Sequence, residues 1–280
     1  MSAVTLREAL ATQAPSGAFA ARVWLPDGPR QDHNAFCTAL TALELLRWPR
    51  RPEPLEAARR ALAWLEGCGR EGRRGVYGFY PWCGHPDWMG ERLPADVDDT
   101  ALVHLLRLAL GESKREPAWA LHVAMEGQRL TRSPRGASPW ILAGLYTTWL
   151  DGARLPNPVD LCANLNVAAL RSRLGCAEPH VTVLGAAWAS GLAALEAGRA
   201  RPEQLAPYYP HPGEWEQALR RAIVCGAHGL SPLLAPMRRL AQSCAPGPLC
   251  SSAGGLVRWD SPALSALRAC PDAPDTSRSP

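Results

Sequence analysis

Apolar residues recur along this chain at the three-and-four spacing of a helix face, and the alternating spacing of a strand is hard to find. Phe36, Leu40, Leu43 and Leu46 share one helical face, as do Leu102, Leu105, Leu106 and Leu108. The same period runs through Trp140, Ile141, Leu145 and Trp149, and through Val183, Leu184, Trp188, Leu192 and Leu195. Valine and isoleucine are few. The pattern predicts about ten to twelve helices of ordinary length, beginning near residues 4, 32, 54, 97, 116, 138, 158, 180, 201 or 213, 230 and 262. Pro- and Gly-rich turns separate them at Pro26–Pro29, Pro49–Pro54, Arg70–Gly78, Ser133–Gly136 and Pro207–Gly213. None is long enough to be a flexible linker. One domain over residues 1–270 is therefore expected, with the Pro/Ser/Asp-rich stretch 271–280 as a disordered tail. Residues 244–259 fit neither pattern, mixing Gly, Pro and Ser with Leu256, Val257 and Trp259.

Helical hairpins recur loosely every ~45–60 residues, within the range of stacked or ring-like helix pairs. Several segments open small or polar and then turn apolar, among them Asp32–Leu46, Asp96–Leu110 and Asp160–Leu170. That suits inner helices whose N-terminal ends converge on one face. The expectation is an all-α fold, an (α/α) toroid or barrel with an apolar lumen and a polar rim.

Composition narrows the partners. The 280 residues carry a net charge of only +4, too mild for the dense basic stripe of a nucleic-acid binder. Nine cysteines, odd in number and without a C-x-x-C pair, do not form a secreted disulfide framework. Met1–Leu10 lacks the basic flank and apolar run of a signal peptide. No window approaches the ~18–20 apolar residues of a membrane span. The chain reads as a cytoplasmic protein with reduced thiols.

Its most chemical stretch is Leu93–Leu102, which sets Asp96, Asp98 and Asp99 at the mouth of an apolar helix. Acidic side chains there cap free amides and complement the helix dipole. Like charges crowded at the edge of an apolar pocket cannot all ionise, so one carboxyl should hold its proton near neutral pH. A neutral carboxylic acid facing an apolar cavity is equipped to protonate a weak base such as an alkene or an epoxide.

Asp96-Val97-Asp98-Asp99-Thr100-Ala101 resembles the D-x-D-D-T-A motif of class II terpene cyclases, the squalene–hopene cyclase-like and copalyl diphosphate synthase-like enzymes. The resemblance implies that Asp98 is the general acid, flanked by Asp96 and Asp99, with Thr100 nearby. Cys162-Ala163-Asn164-Leu165-Asn166-Val167-Ala168-Ala169-Leu170 is similar to the N-A-H-V-L-x-A-L segment of the copalyl-type enzymes, whose first asparagine hydrogen-bonds the acid. That role falls on Asn164, while Asn166 stands where the family often has His. Aromatic faces attract cations without acting as nucleophiles. Tyr77, Phe79, Tyr80 and Trp82 precede the acid, and Trp140, Trp149, Trp188, Tyr208 and Tyr209 follow it. Thr100, Tyr77, Phe79, Trp82, Asn166, Trp188 and Tyr208 are the candidate substrate-binding residues.

The resemblance further implies a linear isoprenoid substrate and no required cofactor, with Mg²⁺ relevant only to a diphosphate substrate. Peripheral membrane contact is compatible with such a substrate. Familiar members pair two toroidal domains; this chain has room for one, like the smaller monodomain bacterial cyclases. A single domain must form its pocket internally or borrow a wall from a second copy in a homodimer.

Three other readings compete. Protein prenyltransferase β-subunits bind zinc through Asp-x-Cys and a distant His, which Asp160, Cys162 and His228 mimic. An inverting glycosidase would pair Asp98 with Glu214 or Glu216. A non-catalytic helical binding protein needs no acid at all. His180 is the candidate terminating base, and the basic run Arg70–Arg74 either holds a diphosphate or is a solvated loop.

Overall fold

A computed structural model describes residues 3–48, 51–90, 92–150, 156–245, 247–252 and 256–269. In chain order its elements begin with α1 (Ala3–Ala11), β1 (Ala21–Leu25), β2 (Gly28–Asp32), α2 (Ala35–Leu45), α3 (Pro52–Leu65), β3 (Gly69–Arg70), β4 (Arg73–Tyr77) and α4 (Val97–Ala109). They continue with α5 (Arg115–Trp119), α6 (Leu161–Arg173), α7 (His180–Glu196), α8 (Pro202–Leu205), α9 (Pro212–Val224), α10 (Leu234–Ser243), β5 (Cys250–Ser251), β6 (Arg258–Asp260) and α11 (Pro262–Arg268). The expected tail 271–280 lies outside the described residues.

The fold is mixed α/β and not the all-α toroid that periodicity predicts. A four-stranded antiparallel sheet runs in the order β2-β1-β6-β5, and β3 and β4 form a second, two-stranded sheet. The strands are two to five residues long, too short for alternation to stand out. β1 does alternate, with Ala21 and Val23 buried and Arg22 and Trp24 exposed. Its hairpin to β2 turns at Gly28, whose φ of +126° is accessible to glycine and strained for a residue with Cβ. On its other edge β1 pairs with β6, setting Val23 opposite Trp259. The ambiguous stretch 244–259 thus supplies strands that close against the N-terminal part of the chain.

Helices do begin within four residues of most expected starts, because capping residues mark them. Asn34, Asp96, Asp160, His211 and Ser261 each accept a backbone N–H in the first turn of α2, α4, α6, α9 and α11 respectively. The helix expected near residue 138 is missing. Residues 129–150 are irregular, held by single bridges that pair Arg129 with Tyr146, Asp96 with Trp149 and Thr147 with Val159. Pro139 and the left-handed Gly144 (φ +95°) interrupt the apolar period. Side-chain amides meet part of this segment's backbone demand. Asn164 bonds both the N–H and the C=O of Tyr146, and Asn157 does the same for Trp149.

The core lies among α2, α4, α6 and α9, which pack in that order. α6 is the innermost, buried at every position from Leu161 to Arg171. α3 covers α2, α7 covers α6 and α10 covers α9, while α11 wedges between α1 and α2. Among the described residues no helix is long and apolar enough to cross a membrane.

Candidate active site

Asp96 is the N-cap of α4, its Oδ1 accepting from the amides of Asp98 (2.9 Å) and Asp99 (2.7 Å). This cap fixes the first turn, so the next two carboxyls project from a rigid mount. Asp98 is 3% exposed. Its Oδ1 accepts from Asn166 Nδ2 at 2.6 Å and its Oδ2 from the Tyr209 hydroxyl. Asp99 is equally enclosed, and its side chain meets the Asp96 carboxyl.

Desolvation dominates the charge state of all three. Burial, then the charge of Asp98, pushes the Asp96 carboxyl up to about 7. Burial raises Asp98 too, opposed by the hydrogen bonds from Tyr209 and Asn166 and by the Arg221 charge. Asp99 is raised well above the usual carboxylate range by burial and then by the charges of Asp96 and Asp98. At neutral pH the cluster therefore retains protons.

All three carboxyls line a cavity of about 290 Å³. Its walls are mostly apolar and aromatic: Phe79 after β4, Met89 and Leu93 from the loop before α4, Trp149, Tyr208, Tyr209 and Trp259. The N-terminal ends of α4 and α6 meet at it, α6 through Ala163, and β5 and β6 form the far wall with Cys250, Ser251 and Trp259. Asp160 sets the tyrosines. One oxygen caps α6 and the other accepts from the Tyr208 amide at 2.9 Å, while Ser251 N–H bonds the Tyr208 carbonyl at 2.8 Å. Trp215 Nε1 donates to the Tyr209 carbonyl, and Phe36 packs against the Tyr209 ring at 5.1 Å. Tyr208 lies edge-on to Trp149, and Phe79 to Trp259.

Asn166, not Asn164, reaches the acid. Asn164 faces the other way, onto Tyr146, the Asp160 carbonyl and His180 Nε2. Two residues along a helix turn the side chain by about 200°, so the two amides cannot share a target. Phe79 and Tyr208 take their expected places in the wall. Thr100 bonds both backbone groups of Tyr77, tying β4 to α4 from behind the cavity. The Tyr77 ring stands against His104, and its hydroxyl lies between Glu66 and Arg107. Trp82 is exposed under Arg70 and Arg92, and Trp188 packs on Trp215 in the core. None of these four lines the cavity.

His180 is buried against Tyr146, away from the cavity, and desolvation drops its imidazole to about 3. Arg70 donates to the Leu93 carbonyl and Arg73 to that of Leu150, so both are committed to the loops that frame the acid. Asp160 is occupied as a cap, and burial pushes the Cys162 thiol well up. Among the described residues no group of three or more His, Cys, Asp or Glu side chains is arranged to hold a metal ion. Glu214 does not face the cavity; it is clamped by Arg268, whose Nη1 and Nη2 lie 2.6 and 3.2 Å from its two carboxylate oxygens.

From sequence Tyr209 stands out only as a ring, Trp259 only as part of an ambiguous stretch, and Arg221 not at all. Nothing in the local pattern distinguishes Arg221 from Arg220 beside it, yet its Nε holds Asn166 Oδ1 at 2.9 Å. A larger open groove of about 760 Å³ along residues 127–135 contains none of the expected site residues. No protein-family model matches the chain, and no curated protein sequence matches it.

Proposed function

We propose that the protein is a Brønsted-acid cyclase of linear isoprenoids, in which Asp98 protonates a terminal alkene or epoxide. The observation that carries this reading is a buried carboxyl, hydrogen-bonded on both oxygens and crowded by two others, in the wall of an aromatic, largely apolar cavity. A carboxyl gripped by Asn166 on one side and Tyr209 on the other cannot rotate. Each carboxyl oxygen has two lone-pair directions, so a proton still has a place on the acid. Protonation of the substrate leaves a carbocation on carbon and a carboxylate on Asp98. The faces of Phe79, Trp149, Tyr208 and Trp259 offer that cation quadrupole attraction with no basic atom to quench it. Ring closure moves the charge inward along the chain until loss of a proton or capture of water ends the reaction. Asp98 then regains its proton from solvent, and the sequence needs no redox step.

At the ~30 Å³ that one water-sized group occupies, 290 Å³ holds about ten non-hydrogen atoms. That matches the reacting end of an isoprenoid, with the remainder of a longer chain extending through the mouth.

The test is incubation with linear isoprenoids of two to four isoprene units, as alkenes and epoxides, with and without diphosphate, read by mass-resolved chromatography. A product isomeric with its substrate is expected, or its hydrate where water ends the reaction, with turnover falling roughly 100- to 10,000-fold in Asp98→Asn, the range typical of a lost general acid. Undiminished turnover in Asp98→Asn refutes the assignment of the acid. Absence of product from every member of the panel refutes the cyclase.

A further inference from the structure

Behind the acid runs a chain of charged groups that proton transfer to substrate does not itself require. Arg221, on α9, donates from Nε to Asn166 Oδ1 at 2.9 Å, and Asn166 donates onward to Asp98 Oδ1 at 2.6 Å. An amide rotates readily about its last bond; with Arg221 on its oxygen, only the NH₂ end can face the acid. Orientation by a guanidinium has a drawback. A full positive charge one residue behind a carboxyl favours its ionised form, the wrong state for an acid.

Glu214 answers that charge. It lies about two turns earlier on α9, 3% exposed, with Oε1 3.6 Å from Arg221 Nη2. Arg268 of α11 locks it from the other side by a two-pronged pair at 2.6 and 3.2 Å. A carboxylate this deeply buried without polar contact to the cavity has no solvent-facing task.

We propose that Glu214 is a positioning residue for the acid, countering the guanidinium that orients Asn166 so that Asp98 is held in place with less positive charge at its back. The inference rests on the reading of Asp98 as the acid. The other charged or titratable groups that face Asp98 are Asp96 and Asp99 on α4, Asp160 and Cys162 on α6, Tyr209 before α9 and Cys250 on β5. The acids among them disfavour a charged Asp98, and Arg221 is the cation that opposes them most directly. Glu214 therefore decides whether the local balance stays on the protonated side.

The experiment reads Asp98 itself by difference infrared titration, following the protonated-carboxyl band that Asp98→Asn abolishes, with no substrate present. Glu214→Gln keeps the shape and removes the charge. Its Asp98 midpoint is expected to fall by about one pH unit, a tenfold loss of protonated acid at a fixed pH above the midpoint. Arg221→Gln removes the cation and unfixes Asn166, and its midpoint is expected to rise by a similar amount. The double variant returns toward the parent value, since both members of the pair are gone, and it carries the decision where Glu214→Gln alone does not fold. Equal or same-direction shifts in the two single variants, or a double variant displaced as far as Glu214→Gln, overturn the proposal: a merely structural pair would lower stability without opposed titrations. Because the midpoint is read without turnover, a protein that converts no isoprenoid overturns the cyclase reading while the midpoints still judge the role of Glu214.

Discussion

Replacing Asn164 with alanine separates fold from chemistry more sharply than any change at the acid. Asn164 is 1% exposed and Tyr146 fully buried. The amide accepts from the Tyr146 N–H at 2.9 Å and donates to its carbonyl at 2.9 Å. Alanine leaves both backbone groups buried without partners, whereas the Asp160 carbonyl keeps its bond from the Asn164 backbone N–H. An orphaned buried polar group costs about 1–3 kcal/mol, so the two together cost roughly 2–6 kcal/mol. That is a large fraction of the ~5–15 kcal/mol that holds a domain folded. At roughly 2–4 °C per kcal/mol for a large domain, melting should drop by about 4–24 °C. Urea unfolding followed by tryptophan fluorescence measures the loss, and infrared titration follows the acid in the same samples. Asn164→Ala should leave the Asp98 midpoint in place. Asn166→Ala should raise it, because a donor to the charged form is removed. A loss below about 1 kcal/mol for Asn164→Ala, or a displaced Asp98 midpoint in that variant, would show that the clamp on Tyr146 does not carry the energy assigned to it.

The contributions of Asp96 and Asp160 to stability should fall with rising pH between about 4 and 7, opposed up to about pH 6.5 by His104 and His180, which burial drops to about 4 and about 3. Burial raises Asp96 and Asp160 to about 7, so the folded chain binds these protons more tightly than the unfolded chain. The contribution is full below the unfolded carboxylate value and is lost as pH climbs through the folded one, at ~1.4 kcal/mol per pH unit for each group. Asp160→Asn should remove its share of that fall; a parent protein whose stability relative to Asp160→Asn does not decline from pH 4 to pH 7 contradicts the assignment. Trp188→Ala should cost about 3–5 kcal/mol, the usual penalty for emptying a tryptophan from a packed core, and leave the Asp98 midpoint unchanged. Phe79→Ala, in the cavity wall, should instead alter the product profile at a smaller cost in stability, and an identical product profile would remove Phe79 from the reacting chain's path.

How much of this was legible in the sequence depended on whether the cue was local. Asp96 announces a helix start by residue type alone, and α4 begins at the next residue. Gly144 and Pro139 carried the warning against a helix near 138, but four regularly spaced apolar residues outweighed it, and the amides that hold the segment come from Asn157 and Asn164 further along. The sheet was invisible for a related reason. β6 has three residues and is a strand only because β1 lies beside it, more than 200 positions earlier. At the site, the crowded carboxyls followed from spacing, whereas choosing between Asn164 and Asn166 required the azimuth of α6 relative to α4. Arg221 had no sequence cue, and Glu214 stood only as a possible glycosidase partner of Asp98: their meaning lies in who faces them across three helices.

The pairing of β1 with β6 also sets the order in which the cavity can come into being. Chains leave the ribosome N-terminus first and begin to fold as they emerge. α4, α6 and α9 can assemble, and Asp98 can meet Asn166 and Tyr209, well before residue 250 is made. The wall that screens the carboxyls from water, Cys250, Ser251 and Trp259, is added last, when β6 docks on a strand synthesised at the start. Burial is the largest cause of the raised carboxyl values, and the last strand completes that burial, so the retention of protons by the cluster depends on the final part of the chain.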